Sequence, residues 1–593
     1  MKKLKFIAGM IVLCLIMSVP ATAEVIGTAR LNLIQDDVVV QTEDTGGEWV
    51  AASINMPLLP GDKIWVSESG RAEIQFLGGT YLRADSNTGV DITKLQRDGD
   101  NIIQVGVPQG RTYVKYRRSP ARDSVLQIDT PLVSVMAYGS AKFDLNVYED
   151  GYTEVSVIDG VVYVEGRHGN TKVDRGSMIS VGSDNYAELS PMRPKDDWVR
   201  WNIARDSAYA KARGSSRYLP PALGVYSHDF DEYGQWVHTP DYGYVWRPAL
   251  VVSGWAPYRT GRWVWARGDY VWVSYEPWGW APYHYGRWAF RVGIGWFWVP
   301  PAANAVFWSP GLVAWIHTPT YVSWVPLAPR ETYYGYGYYG PHSVNLTKVN
   351  IKTINITNVY VNSRVTNAVT VVHRDTFLTG KRVKVSGAPA NPFVAGPRIS
   401  PGRPDIKPVK ATVVPLPTKV IPERALPSKR LVEKQKTLGI SKRPVAVKEN
   451  VSVFKAGKPA SPMPVRKIEK PRPVTSLLKP GTGRPTERET KEKPQVMPKE
   501  GAGKPPVGER EKAKPEVRKA APGKPAVTPR ESVGKLPKQE KGRGVPDGQK
   551  GLKERPQAVP KQSEGSPPQV KEKIQKQEKK VEPFEEKKDR ERF

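Results

Sequence analysis

Fourteen of the eighteen tryptophans in this 593-residue chain fall between Trp236 and Trp324. A stretch so dense in large flat rings must either bury most of them or present them to a ligand, and either choice restricts the fold. A repeat lies inside it. Gly254-Trp-Ala-Pro-Tyr-Arg-Thr-Gly-Arg-Trp-Val-Trp265 returns 25 residues later as Gly279-Trp-Ala-Pro-Tyr-His-Tyr-Gly-Arg-Trp-Ala-Phe290. A divergent copy opens at Tyr233-Gly-Gln-Trp236 and continues Tyr242-Gly-Tyr-Val-Trp-Arg-Pro248. Gly295-Trp-Phe-Trp-Val-Pro300 and Val322-Ser-Trp-Val-Pro-Leu-Ala-Pro-Arg-Glu331 close the set. Proline and glycine turns divide the stretch into short strands. Trp263 and Trp265 share a strand face, as do Trp296 and Trp298, because side chains alternate across a strand. Units this small cannot bury a face alone and must stack on neighbours.

Charge separates the rest of the chain into two kinds of sequence. Residues 401–593 hold 49 lysines and arginines against 24 aspartates and glutamates, a net of +25, and contain no tryptophan or tyrosine. The whole chain is +30, so the remainder is nearly neutral. Residues 386–593 are expected to be a disordered basic tail, because they offer too little apolar area to offset conformational entropy. Within it only 571–592 is free enough of proline to suggest a helix. The tail reads either as a solvated spacer or as a segment attracted to anionic polymers, with an affinity that falls steeply with salt.

The amino terminus has the layout of a secretory signal over residues 1–23: Lys2, Lys3 and Lys5, an apolar run from Phe6 to Val19, and the small-x-small site Ala21-Thr-Ala23. The run is shorter than the roughly 20 residues of a membrane span; retention as an uncleaved anchor is the alternative. The only cysteine, Cys14, lies inside that run, so a cleaved chain has no disulfide. No second segment reaches membrane length. The chain is therefore expected to be exported, periplasmic or at the cell surface, without a membrane span once mature.

Residues 24–192 read as an all-β domain with period-two alternation in Ala72-Glu-Ile-Gln-Phe76 and turns at Gly78-Gly79, Asp150-Gly151, Asp159-Gly160, His168-Gly-Asn170 and Arg175-Gly176. Asp159-Gly160 between two valine-rich runs signals a hairpin. Ala72-Glu-Ile-Gln-Phe-Leu-Gly-Gly-Thr-Tyr-Leu-Arg83, Leu126-Gln-Ile-Asp-Thr-Pro-Leu-Val-Ser-Val-Met-Ala-Tyr-Gly-Ser140 and Thr153-Glu-Val-Ser-Val-Ile-Asp-Gly-Val-Val-Tyr-Val164 together resemble a FecR domain. The resemblance implies a β-roll or sandwich of the periplasm, named for a sensor of iron-citrate uptake that belongs to a single-span anti-sigma protein. Here a signal-like segment stands where the cytoplasmic head and span of that sensor would be. Residues 193–217 read as a linking helix capped by Asp196 or Asp197, with an extended linker as the alternative. Residues 218–345 form the aromatic repeat domain, and 346–385 a β extension. The order of these parts resembles an uncharacterised family of secreted bacterial proteins in which a FecR-like domain precedes YGxW and WAPYxxGRW repeats. The expected fold is mainly β, with stacked small-β repeats after the roll.

Chemistry is sparse. The seven histidines show no H-E-x-x-H spacing, and there is no Walker loop or G-x-S-x-G elbow. No catalytic, cofactor or metal residues are expected, and the chain reads as non-enzymatic. Glu276, beside Trp278 and Trp280, is the one acid to watch for glycoside chemistry, which needs two carboxylates across a cleft; as a turn acid before Pro277 it needs no such role. His284 between Tyr283 and Tyr285 reads as structural. The repeated aromatics have two readings, core filler or stacking platform. As a platform, Trp255, Tyr258, Trp263, Trp280, Tyr283 and Trp288 would stack on sugar rings while Arg262 and Arg287 supply hydrogen bonds. The expected partners are envelope glycan or peptidoglycan, a protein, and anionic polymers for the tail; sequence-specific nucleic acid is not expected. The functional expectation is an envelope interaction or scaffold protein, with a FecR-type regulatory module acting through a membrane protein partner as the alternative.

Overall fold

Alternation builds the first half of the molecule. Phe143, Leu145 and Val147, Val155 and Val157, and Val162 and Val164 each occupy every second place of a strand and are at most 1% exposed. The structure, a computed structural model, describes residues 29–96, 101–120, 123–183, 187–349, 360–387, 389–394, 400–438 and 463–473. The signal-like segment, the 571–592 stretch and most of the Val349-to-Val361 run lie outside them.

Two nine-stranded sheets enclose the roll's core. The first runs Ala29–Gln35, Arg71–Phe76, Thr80–Ala84, Gly110–Tyr116, Ala141–Val147, Thr153–Asp159, Ser177–Val181, Ala187–Pro191 and Val465–Lys467. The second runs Gly169–Asp174, Val161–Gly166, Ser134–Ala137, Ser124–Asp129, Asn101–Gly106, Thr88–Gln96, Lys63–Val66, Val38–Gln41 and Val50–Ala51. The turns at Gly78-Gly79, Asp150-Gly151 and His168-Gly-Asn170 join paired strands, as expected. Asp159-Gly160 does not. Thr153–Asp159 pairs within the first sheet and Val161–Gly166 within the second, so this turn is a corner between sheets and the hairpin expectation is corrected. The valines on both sides of the corner must point into one core, which only a crossing between facing sheets allows. Gly160 has φ 77°, and a Cβ there would meet the Ser140 carbonyl at 2.4 Å.

The linking helix forms over Asp197–Lys211, with the Asp196 side chain accepting from the Val199 N–H at 3.0 Å. It lies against the outer face of the first sheet. There the polar half of the alternation is buried too: Glu73 and Arg83 sit directly opposite on neighbouring strands and both are fully buried. Arg205 of the helix adds bonds of 2.8 and 3.0 Å to Glu73, and Asp206 pairs with Arg83 at 2.9 Å. Burial alone would raise the Glu73 pKa, but Arg83 and Arg205 override it and hold the carboxyl well below the usual range.

The aromatic region consists of four hairpins, and each places two tryptophans directly opposite. The pairs are Trp236 with Trp246, Trp263 with Trp272, Trp288 with Trp298, and Trp315 with Trp324. The second members recur every 26 residues. The first and third hairpins join into one four-stranded sheet through Trp246 and Trp298. The second and fourth pack ring to ring, with Trp263 4.5 Å from Trp315. The second hairpin is apolar on both faces. Its tryptophans enter the aromatic core, while Val264 and Val273 join the core of the roll. In the β extension, Thr370–His373 adds to the fourth hairpin and Arg374–Thr379 follows as a short helix.

The expectation of a disordered tail from residue 386 needs correction for residues 389–394, 400–438 and 463–473, which pack on the folded half, Phe393 within the aromatic core. Ile406, Val413, Ala425, Leu431 and Met463 are all under 9% exposed. The segment includes a helix, Lys429–Leu438, and the strand Val465–Lys467. A few well-spaced apolar residues suffice to anchor a chain whose average composition is polar.

Glu73→Gln is expected to lower stability by up to about 3–5 kcal/mol in chemical denaturation, because Arg83 and Arg205 lose the buried counter-charge they share and Arg83 keeps only Asp206. In the wild type the depressed Glu73 pKa means its contribution is present above the unfolded-state value of 4.5 and is lost as pH falls below it. An unchanged denaturation midpoint in the variant would remove this network from the stability of the roll.

Candidate functional site in the aromatic repeats

The repeated motif brings its own residues together. Tyr258 and Tyr283 hold the same place in the two Gly-Trp-Ala-Pro-Tyr copies, and their rings meet at 4.7 Å. The Tyr258 hydroxyl donates to the Tyr283 carbonyl at 2.7 Å and accepts from the Leu312 N–H at 2.9 Å. Both rings are fully buried. Trp280 is buried and donates to the Tyr226 hydroxyl at 3.2 Å. Trp288 is buried and donates to the Pro282 carbonyl at 3.0 Å. Trp263 is buried between Trp272, Trp315 and Tyr258. Arg262 is buried and donates to the carbonyls of Leu378 at 3.2 Å and Ala411 at 3.1 Å. Trp255 and Arg287 are half-buried; Trp255 donates to Glu276 at 2.7 Å and Arg287 to the Gly286 carbonyl at 2.9 Å. Burial lowers the pKa of both arginines.

Of the eight residues read as a stacking platform, six are therefore interior, and all eight are engaged with the protein itself. The physical reason is the cross-strand pairing. A tryptophan opposite a tryptophan on a two-stranded unit makes a face that only another such face can cover. Twenty-six-residue spacing in the second members, Trp246, Trp272, Trp298 and Trp324, carried that signal. The rings left open in this region are others, among them Tyr242 at 40%, Tyr244 at 49%, Phe290 at 41% and Tyr338 at 65% exposed. Beside Tyr244, Tyr218 lies at 4.5 Å and the exposed His238 at 5.2 Å, with the Arg217 guanidinium 4.8 Å above Tyr218.

Glu276 is 9% exposed. Its carboxylate accepts from Trp255 at 2.7 Å, from Ser274 at 3.4 Å and from the Tyr283 hydroxyl. Burial outweighs these donors and pushes its pKa up to about 7. Its carbonyl accepts from Asn55 of the roll at 2.7 Å. It is thus a positioned acid at the junction of the roll and the repeats, and among the described residues no second carboxylate pairs with it. His284 is buried against Trp280 and Trp308, and burial brings its pKa down to about 4. Its Nδ1 lies 2.7 Å from the Ser309 carbonyl, which fixes a proton on that nitrogen. Among the described residues, no group of three histidine, cysteine, aspartate or glutamate side chains is placed to hold a metal ion.

A cavity of about 920 Å³ forms a groove on the roll beside the start of the linking helix. Ion pairs floor it: Arg111 with Asp144 at 2.7 Å and Arg193 with Glu154 at 2.6 Å. Tyr148 lines it together with Arg424 and Leu426 of the ordered tail. With each of these floor carboxylates held by an arginine, the floor has no free acid–base pair to offer.

These features describe a β-roll packed against an aromatic repeat region that has its own core. Residues 62–163 match the family described as FecR protein, and residues 227–331 match a family of unknown function, DUF6600; the chain carries both regions. Two crystal structures, at 1.65 and 2.50 Å resolution, of a "putative anti-sigma factor" from Parabacteroides distasonis ATCC 8503 are similar at 21% and 20% identity, each with a TM-score of 0.20. They cover 26% of this chain, which spans 65% and 64% of theirs, under two thirds of their length. No curated protein matches. Among the described residues no helix is long and apolar enough to cross a membrane.

Two outcomes follow from the geometry. Trp263→Ala is expected to destabilise the fold by about 3–5 kcal/mol, as removal of a buried tryptophan does; a variant of wild-type stability would return Trp263 to the surface. For Glu276, the folded pKa lies above the unfolded value of 4.5, so its contribution is complete below that value and is lost as pH rises toward 7. Glu276→Gln should therefore gain stability over the wild type, by on the order of 2 kcal/mol, between about pH 5 and about pH 8. Parallel melting profiles for the two proteins across that range would contradict it.

Proposed function

We propose that this chain is a non-enzymatic FecR-type regulatory module of the cell envelope, exported by its amino-terminal segment, that works by contact with a protein partner. The observation that carries the reading is the packing of the repeats onto the roll. Val264 and Val273 of the second hairpin pack into the roll, and Asn55, Arg30 and Arg267 tie the two halves by buried polar bonds. The repeats pack on the FecR roll and enlarge its surface rather than hanging from it as a separate ligand-binding domain. Such a surface, without a catalytic pair or a metal cluster among the described residues, suits recognition better than turnover. The basic tail beyond residue 473 adds attraction to anionic polymers of the envelope, which weakens with salt.

A second reading, contact with envelope glycan, draws support from the open rings around Tyr244. Sugar faces stack on such rings, and Arg217 and His238 stand beside them as hydrogen-bond donors.

Chemical crosslinking of the full chain in its own cells, followed by purification, is expected to recover one envelope protein in stoichiometric yield. Recovery of peptidoglycan or polysaccharide alone, with retention abolished by Tyr244→Ala, would replace the regulatory reading by the glycan one.

A further inference from the structure

The first sheet of the roll ends on a strand that does not belong to the FecR region. Val465–Lys467 runs parallel to Ala187–Pro191, with Val465 opposite Ala187, Arg466 opposite Glu188 and Lys467 opposite Leu189. The Ala187 N–H donates to the Pro464 carbonyl at 3.2 Å, and the Ile468 N–H donates to the Leu189 carbonyl at 2.9 Å. Just before this ladder, the Met463 N–H donates to the Asn170 carbonyl at 3.2 Å. Asn170 lies on Gly169–Asp174, the end strand of the second sheet. Six residues of the tail thus close the seam where the edges of both sheets lie open.

Side chains make the seam a built site. Met463 is 3% exposed and joins the core of the roll, with Val465 packed against the same core. Gly166 leaves the room for it: a Cβ at that position would stand 3.0 Å from the Met463 sulfur. Arg472 forms an ion pair with Glu188 further along. Pro471 then lines the groove on the roll, whose rim carries the exposed Glu149 and Asp150. An edge strand that supplies main-chain bonds, a pocket for one apolar anchor and acids beyond it are the elements by which sheets take up extended peptides.

The occupant is held by little. Its ladder is three residue pairs long, Pro464 just before it has no N–H to donate, and Arg466 and Lys467 are exposed. We propose that this seam is the docking site for an extended, basic segment of a protein partner, with an apolar anchor that replaces Met463, and that residues 463–473 fill it in cis until displaced. This deepens the regulatory reading, on which it rests, by naming the surface and the chemistry of the segment. The acids along Glu188, Glu149 and Asp150 select a basic occupant, and the depth of the Met463 pocket selects an unbranched apolar anchor.

The test uses the full chain and a fluorescent peptide with the sequence of residues 463–473. Wild type should bind it weakly, because its own segment competes. Met463→Asp empties the pocket and should tighten peptide binding by roughly tenfold or more. Ile468→Pro removes the donor to Leu189 without placing a charge in the core, and should act in the same direction should the aspartate variant not fold. Adding Gly166→Val to either variant fills the pocket and should abolish the gain. If neither release variant binds the peptide more tightly than wild type, the seam is not a docking site, and the regulatory reading remains to be judged by the crosslinking experiment alone. Dimerisation of the released chain in light scattering, with the peptide excluded, would make a second copy the occupant and overturn the partner assignment.

Discussion

Arg30 carries a charge with almost no access to water, and much of the architecture is arranged around it. It is 2% exposed, and its guanidinium donates at 2.7 Å each to Gln75, to Asn55 and to Asp229. Tyr226 and Trp280 lie over it at 5.4 and 5.8 Å. Two of these partners belong to the roll; Asp229, Tyr226 and Trp280 belong to the aromatic half. Pulling the halves apart would leave a buried arginine without its counter-ion, a cost of several kcal/mol. Asn55 passes the restraint on, since its amide donates to the carbonyls of Ser274 and Glu276. Arg267 repeats the device nearby, donating to the Pro60 carbonyl at 2.7 Å and pairing with Glu43. The two halves are therefore fixed by polar bonds that have direction, while Val264 and Val273 supply the apolar contact that has none.

That division of labour explains how a mostly aromatic region acquires one arrangement. Stacked tryptophans are large and apolar but permissive about angle; ring pairs here range from stacked to edge-on. Hydrogen bonds from the indoles remove the freedom. Trp246 donates to Phe230, Trp298 to Tyr285, Trp288 to Pro282 and Trp324 to Tyr258, each a backbone carbonyl at 2.7–3.0 Å. In the first three cases the acceptor lies shortly before the hairpin that carries the ring, so each unit locks its own entry. The repeated Tyr-Gly step serves the same end. At Gly286, with φ 66°, a Cβ would meet the Trp298 indole nitrogen at 2.6 Å, so glycine lets the ring close over the backbone.

Much of the fold was legible because it follows from period and punctuation. The strands around Ala72-Glu-Ile-Gln-Phe76, the helix after Asp196 and the strand character of Trp263 and Trp265 all come from rules that act within a few residues. What escaped reading depends on contacts between distant residues. Alternation alone makes Glu73 and Arg83 a solvent face; only the helix bearing Arg205 and Asp206 turns them into interior ions. Asp159-Gly160 has the residues of a hairpin, but whether the chain returns alongside or crosses to a facing sheet is decided by where its valines find a core. The surroundings of the candidate residues escaped reading for a related reason. The repeat marked Trp255, Tyr258, Trp280 and their neighbours as special, and special they are, but a repeated ring reads the same in a sequence whether its face meets a sugar or another repeat. The open rings at Tyr242 and Tyr244 belong to the divergent copy, where the pattern was weakest.

The tail shows the reverse limitation, in which composition hides order. Several of its described cations meet acids: Arg403 with Asp269 at 3.1 Å, Lys410 with Glu48 at 2.6 Å and Lys419 with Asp37 at 3.2 Å. Such pairs look like the cause of docking, yet the Lys410 and Glu48 side chains are 73% and 55% exposed, and pairs in that setting contribute roughly 0–1 kcal/mol. A buried aliphatic side chain contributes about 1.5–3 kcal/mol, and the tail inserts Ile406, Val413, Leu431 and Met463. Apolar anchors thus decide whether the segment lies down, and charge decides only along which acids it runs. High salt would then loosen the cation pairs while leaving the segment in place, whereas loss of one anchor such as Met463 would free the stretch around it. A chain held in this way can exchange one segment for another that offers the same anchor, with the acidic rim choosing among them.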